Sequence, residues 1–192
     1  MANAKKAPAQ ESAFKTMVYP VIILVVICVV CSALLAVLND ITAPIIAANE
    51  AAKTQEAYLG VLPEGTDAAG LTTLEGLATE GVVGAVTTPD GAVAVQASAA
   101  GYNGKQVTVF VSFDAAGTIS KLSVDASTQT TGIGSKVAEE SFTAGFLGWS
   151  GGQVASGAPV DTIASATYSS EAVFAAVNAA IDCYTNELQG GV

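Results

Sequence analysis

The 192-residue sequence contains no histidine and no arginine. Without histidine it lacks the commonest general base and a leading transition-metal ligand. A Ser-His-Asp or Cys-His catalytic site cannot be built from it. Cations are scarce as well: seven lysines face seventeen carboxylates, for a net charge of −10. A basic footprint is therefore missing, which excludes nucleic-acid binding as a function class. Only three cysteines are present, Cys28, Cys31 and Cys183. Cys183 stands alone in the C-terminal part, so no disulfide is expected there, and it reads as a buried thiol in the last helix.

Charge is absent altogether from the 24 residues between Lys15 and Asp40, whose heart reads YPVIILVVICVVCSALLAVL. As a helix this run reaches roughly 36 Å, enough to cross a hydrocarbon core of about 30 Å. Residues 16–39 are thus expected to form one transmembrane helix. Lys5, Lys6 and Lys15 precede it, while Asp40 and Glu50 follow. The positive flank stays in the cytoplasm, which makes residues 1–15 a cytoplasmic tail and sends the rest of the chain to the extracytoplasmic side. The run is too long for a signal-peptide core and no A-x-A cleavage site follows it, so the anchor is retained. Cys28 and Cys31 read either as a redox pair or cluster half-site facing another subunit, or as small apolar filler. A span without charge offers no ion path of its own.

Past the span, Thr42 and Pro44 look like the start of a separate juxtamembrane helix within 40–63, ended by Pro63-Glu64-Gly65. Residues 64–192 then form the outer domain. Val82–Val86 and Ala92–Ala97 are short β-type runs around the turn Thr88-Pro89-Asp90-Gly91. Val107, Val109, Val111 and Phe113 alternate with Thr108, Phe110 and Ser112, as in a half-buried strand. Asp114-Ala115-Ala116-Gly117 turns the chain into a returning strand, Ile119–Val124. These runs predict an antiparallel meander. A short helix from about Lys136 to Gly145 should turn Val137, Phe142 and Phe146 inward. A terminal helix from about Ser170 to Leu188 carries the stripe Val173, Val177, Ile181, Tyr184, Leu188, with Ser169 or Ser170 as its N-cap. The fold class is α+β: one N-terminal transmembrane helix, then a domain with an antiparallel meander and a C-terminal helix.

Two segments carry chemistry. Asp161-Thr-Ile-Ala-Ser-Ala-Thr167-Tyr-Ser-Ser170 sets the hydroxyls of Thr167, Ser169 and Ser170, with unpaired backbone N–H groups, at a helix N-terminus. Such a place suits a phosphate, or serves only as a cap. The loop Thr130-Thr131-Gly132-Ile133-Gly134 allows close backbone approach to a ligand.

Taken together, in this order and behind one span, these segments resemble the covalent FMN-binding domain family. Its flavinylation motif runs Asp-x-x-Ser/Thr-Gly-Ala-Thr-Ser/Thr. Asp161, Ala166 and Thr167 match it, with Ala164 where Ser or Thr is usual and Ser165 where Gly is usual. A second signature, Glu-Thr-Pro-Gly-Leu-Gly followed by a short helix with Phe, is matched by Gln129 to Gly134, then Lys136, Phe142 and Phe146. Here Gln129 replaces Glu and Thr131 replaces Pro. Gly101-Tyr102-x-Gly104 and the Leu-Asn-Asp-Ile-Thr end of the anchor also fit. Length and anchor are most similar to the G subunit of the Rnf complexes, ion-translocating ferredoxin:NAD oxidoreductases of bacterial membranes.

The resemblance implies an electron-transfer flavoprotein subunit in the bacterial inner membrane, with no independent catalysis. It implies FMN attached through its phosphate to Thr167, with Thr130, Gly132, Gly134, Ser165 and Ala166 against the cofactor. Lys136 is either close to the cofactor or a solvated lysine. Trp149 either covers the ring or fills the core. Asp161 orients its loop or assists attachment. The implied partners are the other subunits of an Rnf-like complex and a flavin transferase. The competing expectation is a cofactor-free, membrane-anchored structural or adhesive module.

Overall fold

In the computed structural model, which describes residues 17–189, the uncharged run opens a single long helix, α1 (Tyr19–Val61). The expected tail, residues 1–15, lies outside the described residues. The apolar side chains of α1 through Ile46 are exposed. A helix that is apolar all round and uncovered by its own chain is made for lipid. Cys28 and Cys31 are free, exposed thiols one turn apart on it.

The separate helix expected to begin at Thr42 and Pro44 is not seen, because α1 runs through Pro44 without a break. Proline removes one N–H and crowds the carbonyl four residues back, here that of Asp40. The turns on either side keep their hydrogen bonds, and the alanine-rich stretch that follows favours helix. Thr42 does not cap. Its hydroxyl donates backwards to the Leu38 carbonyl at 2.9 Å.

The chain divides into two compact units, the second running from Ala52. This second unit is built on a five-stranded antiparallel meander in the order β1 (Thr72–Leu74), β2 (Val82–Thr87), β3 (Val93–Ala100), β4 (Gln106–Phe113), β5 (Ile119–Asp125). Each turn has a local cause. At Thr88–Gly91 the Gly91 N–H donates to the Thr88 carbonyl at 3.0 Å. At Asp114–Gly117 the Asp114 carboxylate accepts from the N–H groups of Ala116 (2.9 Å) and Thr118 (2.8 Å). Both turns use a glycine at positive φ, 83° and 80°.

Helix α3 (Thr167–Cys183) covers one face of the sheet. Val173 and Val177 pack with Val95, Val107, Val109 and Val111, all with no exposed surface. Burying each is worth about 1.5–3 kcal/mol. The last turn of α1 covers the other face, with Tyr58, Val61 and Leu62 against Val86, Ala94 and Phe110. This second layer is why β4 is buried on both faces from Val109 onward, not half-buried as alternation suggested. The short segment after the Gly loop winds as a 3-10 turn (Gly134–Ala138), a single turn α2 (Glu140–Thr143) and a second 3-10 turn. Val137, Phe142 and Phe146 point inward as expected.

After α3 a wider π turn, Tyr184–Leu188, ends the helical run. Its Glu187 carboxylate accepts from the Ala78 N–H (2.9 Å), the Thr79 N–H (2.8 Å) and the Thr79 hydroxyl, clamping the C-terminus to the segment before β2. The Thr79 hydroxyl first, then the Ala78 N–H, hold this carboxyl below its ordinary value. A depressed carboxylate adds stability above its unfolded pKa of about 4.3 and loses it as pH falls through the lower folded value. Glu187→Gln should therefore lower the urea midpoint at pH 7, and the gap from wild type should close below pH 4. A gap independent of pH would rule out the clamp. Beside it, burial pushes the Cys183 thiol up to about 11, with the Glu187 charge adding to the shift, so Cys183 stays protonated and inert at neutral pH.

Candidate functional site

Helix α3 starts at Thr167, with Ala166 at its N-cap position and no side chain capping it. The expectation that Ser169 or Ser170 would cap is corrected by the structure: both lie inside the first turn and are buried. The Ser170 hydroxyl accepts from the Ile163 N–H (3.0 Å) and donates to the Ala166 carbonyl (3.2 Å). The Ser169 hydroxyl donates to Gln129 Oε1 (2.9 Å). The helix therefore presents its orphan N–H groups without a side-chain acceptor, and no carboxylate stands in its first turn. Thr167 itself is exposed.

The Gly loop is laid directly on this helix start. A β-carbon on Gly134 would sit 2.7 Å from Ser169 Oγ and 3.0 Å from Gln129 Cβ, so only glycine fits there. Gly132 serves the loop differently. It takes φ +76°, and its N–H donates to Ser135 Oγ at 2.8 Å. Gln129, 6 % exposed, holds three segments together. Its Oε1 accepts from the Tyr102 N–H (3.1 Å) as well as from Ser169. Its Nε2 donates to the Lys105 carbonyl (3.0 Å) and to Thr128 Oγ1 (3.1 Å).

Between these parts lies a cavity of about 310 Å³, lined by Tyr102, Thr130, Ile133, Gly134, Ser165, Ala166, Tyr168 and Ser169. Five residues singled out from the sequence meet here: Thr130, Gly134, Ser165, Ala166 and Ser169. Thr167 stands between lining residues on both sides without being part of the wall. Gly132 and Lys136 belong to the same loop and the turn after it, outside the wall, and Lys136 is exposed. Trp149 is elsewhere, half-buried against the main core with its Nε1 donating to the Gly152 carbonyl (2.8 Å). Asp161 is exposed. Sequence reasoning missed Tyr102, Ile133 and Tyr168 as wall residues and Gln129 as the hub. A larger cleft of about 520 Å³, edged by Lys53, Glu56, Lys121 and Glu140, contains none of the predicted residues. Its charges are mixed, and we give it no part in the site.

Ser165 has φ +70°, the left-handed region that costs a residue with a β-carbon about 1 kcal/mol. The resembling family has glycine at this place. Ser165→Gly should raise the unfolding free energy by about 1 kcal/mol, read from urea denaturation. A decrease would mean that the serine hydroxyl stabilises the turn by more than the strain it causes.

Residues 101–182 match the family described as FMN-binding domain, and residues 5–61 match the RnfG N-terminal region. The chain is an RnfG-like FMN-binding protein. A search among curated proteins finds no match. Every residue lining the cavity falls inside the FMN-binding match. The RnfG-like N-terminal match ends at Val61, the last residue of α1. The protein is thus a flavoprotein of electron transport, with one helix among the described residues long and apolar enough to cross a membrane. The cavity suits FMN: Tyr102, Ile133 and Tyr168 offer apolar surface for the ring, Thr130 and Ser165 hydroxyls for the ribityl chain, and the uncapped helix start beside it suits the phosphate.

Proposed function

We propose that this protein carries FMN on Thr167 through a phosphodiester bond and relays electrons through it within a membrane-bound, Rnf-like ion-translocating oxidoreductase. One observation carries the reading: Thr167 is an exposed hydroxyl at the uncapped start of α3, flanked by cavity-lining residues, while Ser169 and Ser170 are buried and committed to internal hydrogen bonds.

In this reading the free N–H groups of α3 hold the phosphate, and the positive end of the helix offsets its remaining charge. Thr130, Gly134, Ser165 and Ala166 line the place of the ribityl chain and ring. Gly132 shapes the loop, and Lys136 offers a cation on the turn that follows. FMN, when bound, takes up and releases electrons, and the protein supplies position and electrostatics. A covalent tether keeps the cofactor where no free pool could replace it.

The organisation that goes with this is a cytoplasmic tail (1–15), a span (16–39), a juxtamembrane stretch (40–63) and an extracytoplasmic domain (64–192), in the bacterial cytoplasmic membrane. The lysines before the span support that orientation. The partners are the other subunits of the complex, which must conduct the ion, and a flavin transferase that modifies Thr167. The test is direct. Full-length protein co-expressed with a flavin transferase, then denatured in SDS, should show flavin fluorescence on its band. A dark band would overturn the reading in favour of a cofactor-free module.

A further inference from the structure

The second unit of the chain holds ten aromatic side chains, and nearly all are enclosed. Tyr58, Phe110, Phe113, Phe142, Phe146, Phe174 and Tyr184 are buried, and Trp149 is half-buried. The two left in water are Tyr102, 56 % exposed, and Tyr168, 66 % exposed. Both line the cavity beside Thr167. Their ring centroids lie 6.2 Å apart with planes tilted by 54°, so neither ring covers the other. Ile133, 46 % exposed, completes the rim. Of the five large apolar side chains that this unit leaves exposed among the described residues (Val83, Tyr102, Ile133, Leu147 and Tyr168), three thus gather at one cavity.

Exposure of this kind costs free energy unless something flat and apolar covers it. One such occupant belongs at that spot in the proposed function: the isoalloxazine ring of a flavin tethered to the neighbouring residue. Tyr168 follows Thr167 directly, where the resembling family carries a small hydroxyl residue. A serine or threonine there could not reach over a ring, whereas a tyrosine presents an aromatic face and a phenol.

We propose that Tyr168 is a positioning residue that covers the isoalloxazine ring of the Thr167-bound flavin, with Tyr102 and Ile133 forming the rest of that wall. The proposal rests on the Thr167 reading. Its consequence is a ring shielded on one face from water and from small solutes, with a phenol in contact.

The experiment uses full-length flavinylated protein: wild type, Tyr168→Phe, Tyr168→Ser and, for comparison, Tyr102→Phe. Fluorescence per flavin is measured folded and after denaturation in SDS, and iodide quenching is measured on the folded samples. A phenol quenches an excited flavin by lending it an electron that returns within the same pair, and a phenyl ring does not. Folded wild type should therefore be dim and brighten on denaturation. Folded Tyr168→Phe and Tyr168→Ser should each be about twofold brighter than wild type or more. Iodide quenching should rise in Tyr168→Ser alone, because Phe still covers the ring. Tyr168 is largely exposed, so these changes leave the fold intact. Folded Tyr168→Ser indistinguishable from wild type in both readouts would overturn the proposal while leaving Thr167 untouched, and so would brightening confined to Tyr102→Phe. A dark SDS band in the wild type would overturn both.

Discussion

Thr167→Ala removes the covalent flavin completely, while Thr167→Ser retains it. This is the expected result of the largest single change, and the structure says why no neighbour should substitute. A phosphodiester needs a hydroxyl that a transferase can reach. Ser169 and Ser170 are buried, and each hydroxyl already donates a hydrogen bond to an internal acceptor, Gln129 Oε1 and the Ala166 carbonyl respectively. Thr167 is exposed at the first position of α3, where alanine is fully compatible with helix. The stability change should stay within about 0.5 kcal/mol, so loss of flavin cannot be blamed on unfolding. The measurement is flavin absorbance per chain together with the fluorescent SDS band, alongside the urea midpoint. Besides Thr167, the exposed aliphatic hydroxyls here are those of Thr130 and Ser165 at the cavity wall, and Ser165 is the nearer of the two in sequence to the helix start. Flavin kept in Thr167→Ala and lost in Ser165→Gly would move the attachment to that residue.

Much of this arrangement could be read from residue order alone, and the parts that could not share a physical cause. The span is legible because 24 uncharged residues have one economical solution. The meander is legible because β-branched alternation and Asp–Gly turns are local signals. β1 was not foreseen: it has three residues, two of them exposed threonines, and exists only because β2 offers a ladder. Continuity of α1 through Pro44 was hidden too, since a proline marks a boundary in sequence but removes only one hydrogen bond in a helix. Sequence alone puts the start of α3 too late, because Ser169 and Ser170 have the chemistry of caps. Their hydroxyls serve instead a loop forty residues away and the turn just before the helix. At the site, the Gly loop and the Thr167 segment are visible as motifs. Tyr102, Ile133 and Tyr168 are not, because an exposed apolar side chain looks like any other in a sequence until the fold gathers it with others at one cavity.

Gln129 departs from the glutamate of the resembling family, and restoring that glutamate should harm this chain. The amide orientation is fixed by its partners. The Tyr102 N–H can only donate, so it faces Oε1, and the Lys105 carbonyl can only accept, so it faces Nε2. In Gln129→Glu the second oxygen meets the Lys105 carbonyl at the place of a 3.0 Å hydrogen bond, in a position only 6 % exposed. A buried carboxylate with one oxygen against a carbonyl should cost about 2–3 kcal/mol at neutral pH. Protonation relieves the conflict, because the carboxyl O–H can then donate to Lys105 as the amide did. The folded pKa is therefore raised, and the sign follows: stability is nearly restored below the unfolded value of about 4.3 and is lost as pH rises through the higher folded value. This is the reverse of Glu187, whose contribution fades on acidification. Urea midpoints of the two variants against wild type, followed from pH 7 to well below pH 4, should therefore move toward wild type for opposite reasons: Gln129→Glu regains what it lost, whereas Glu187→Gln is met by a falling wild type. The cavity should feel the first change as well, since Gln129 anchors both Tyr102 and Ser169 at its wall. A Gln129→Glu protein as stable as wild type at pH 7 would mean that the Lys105 contact is dispensable, and that this chain's amide is an accident and not the partner its neighbours require.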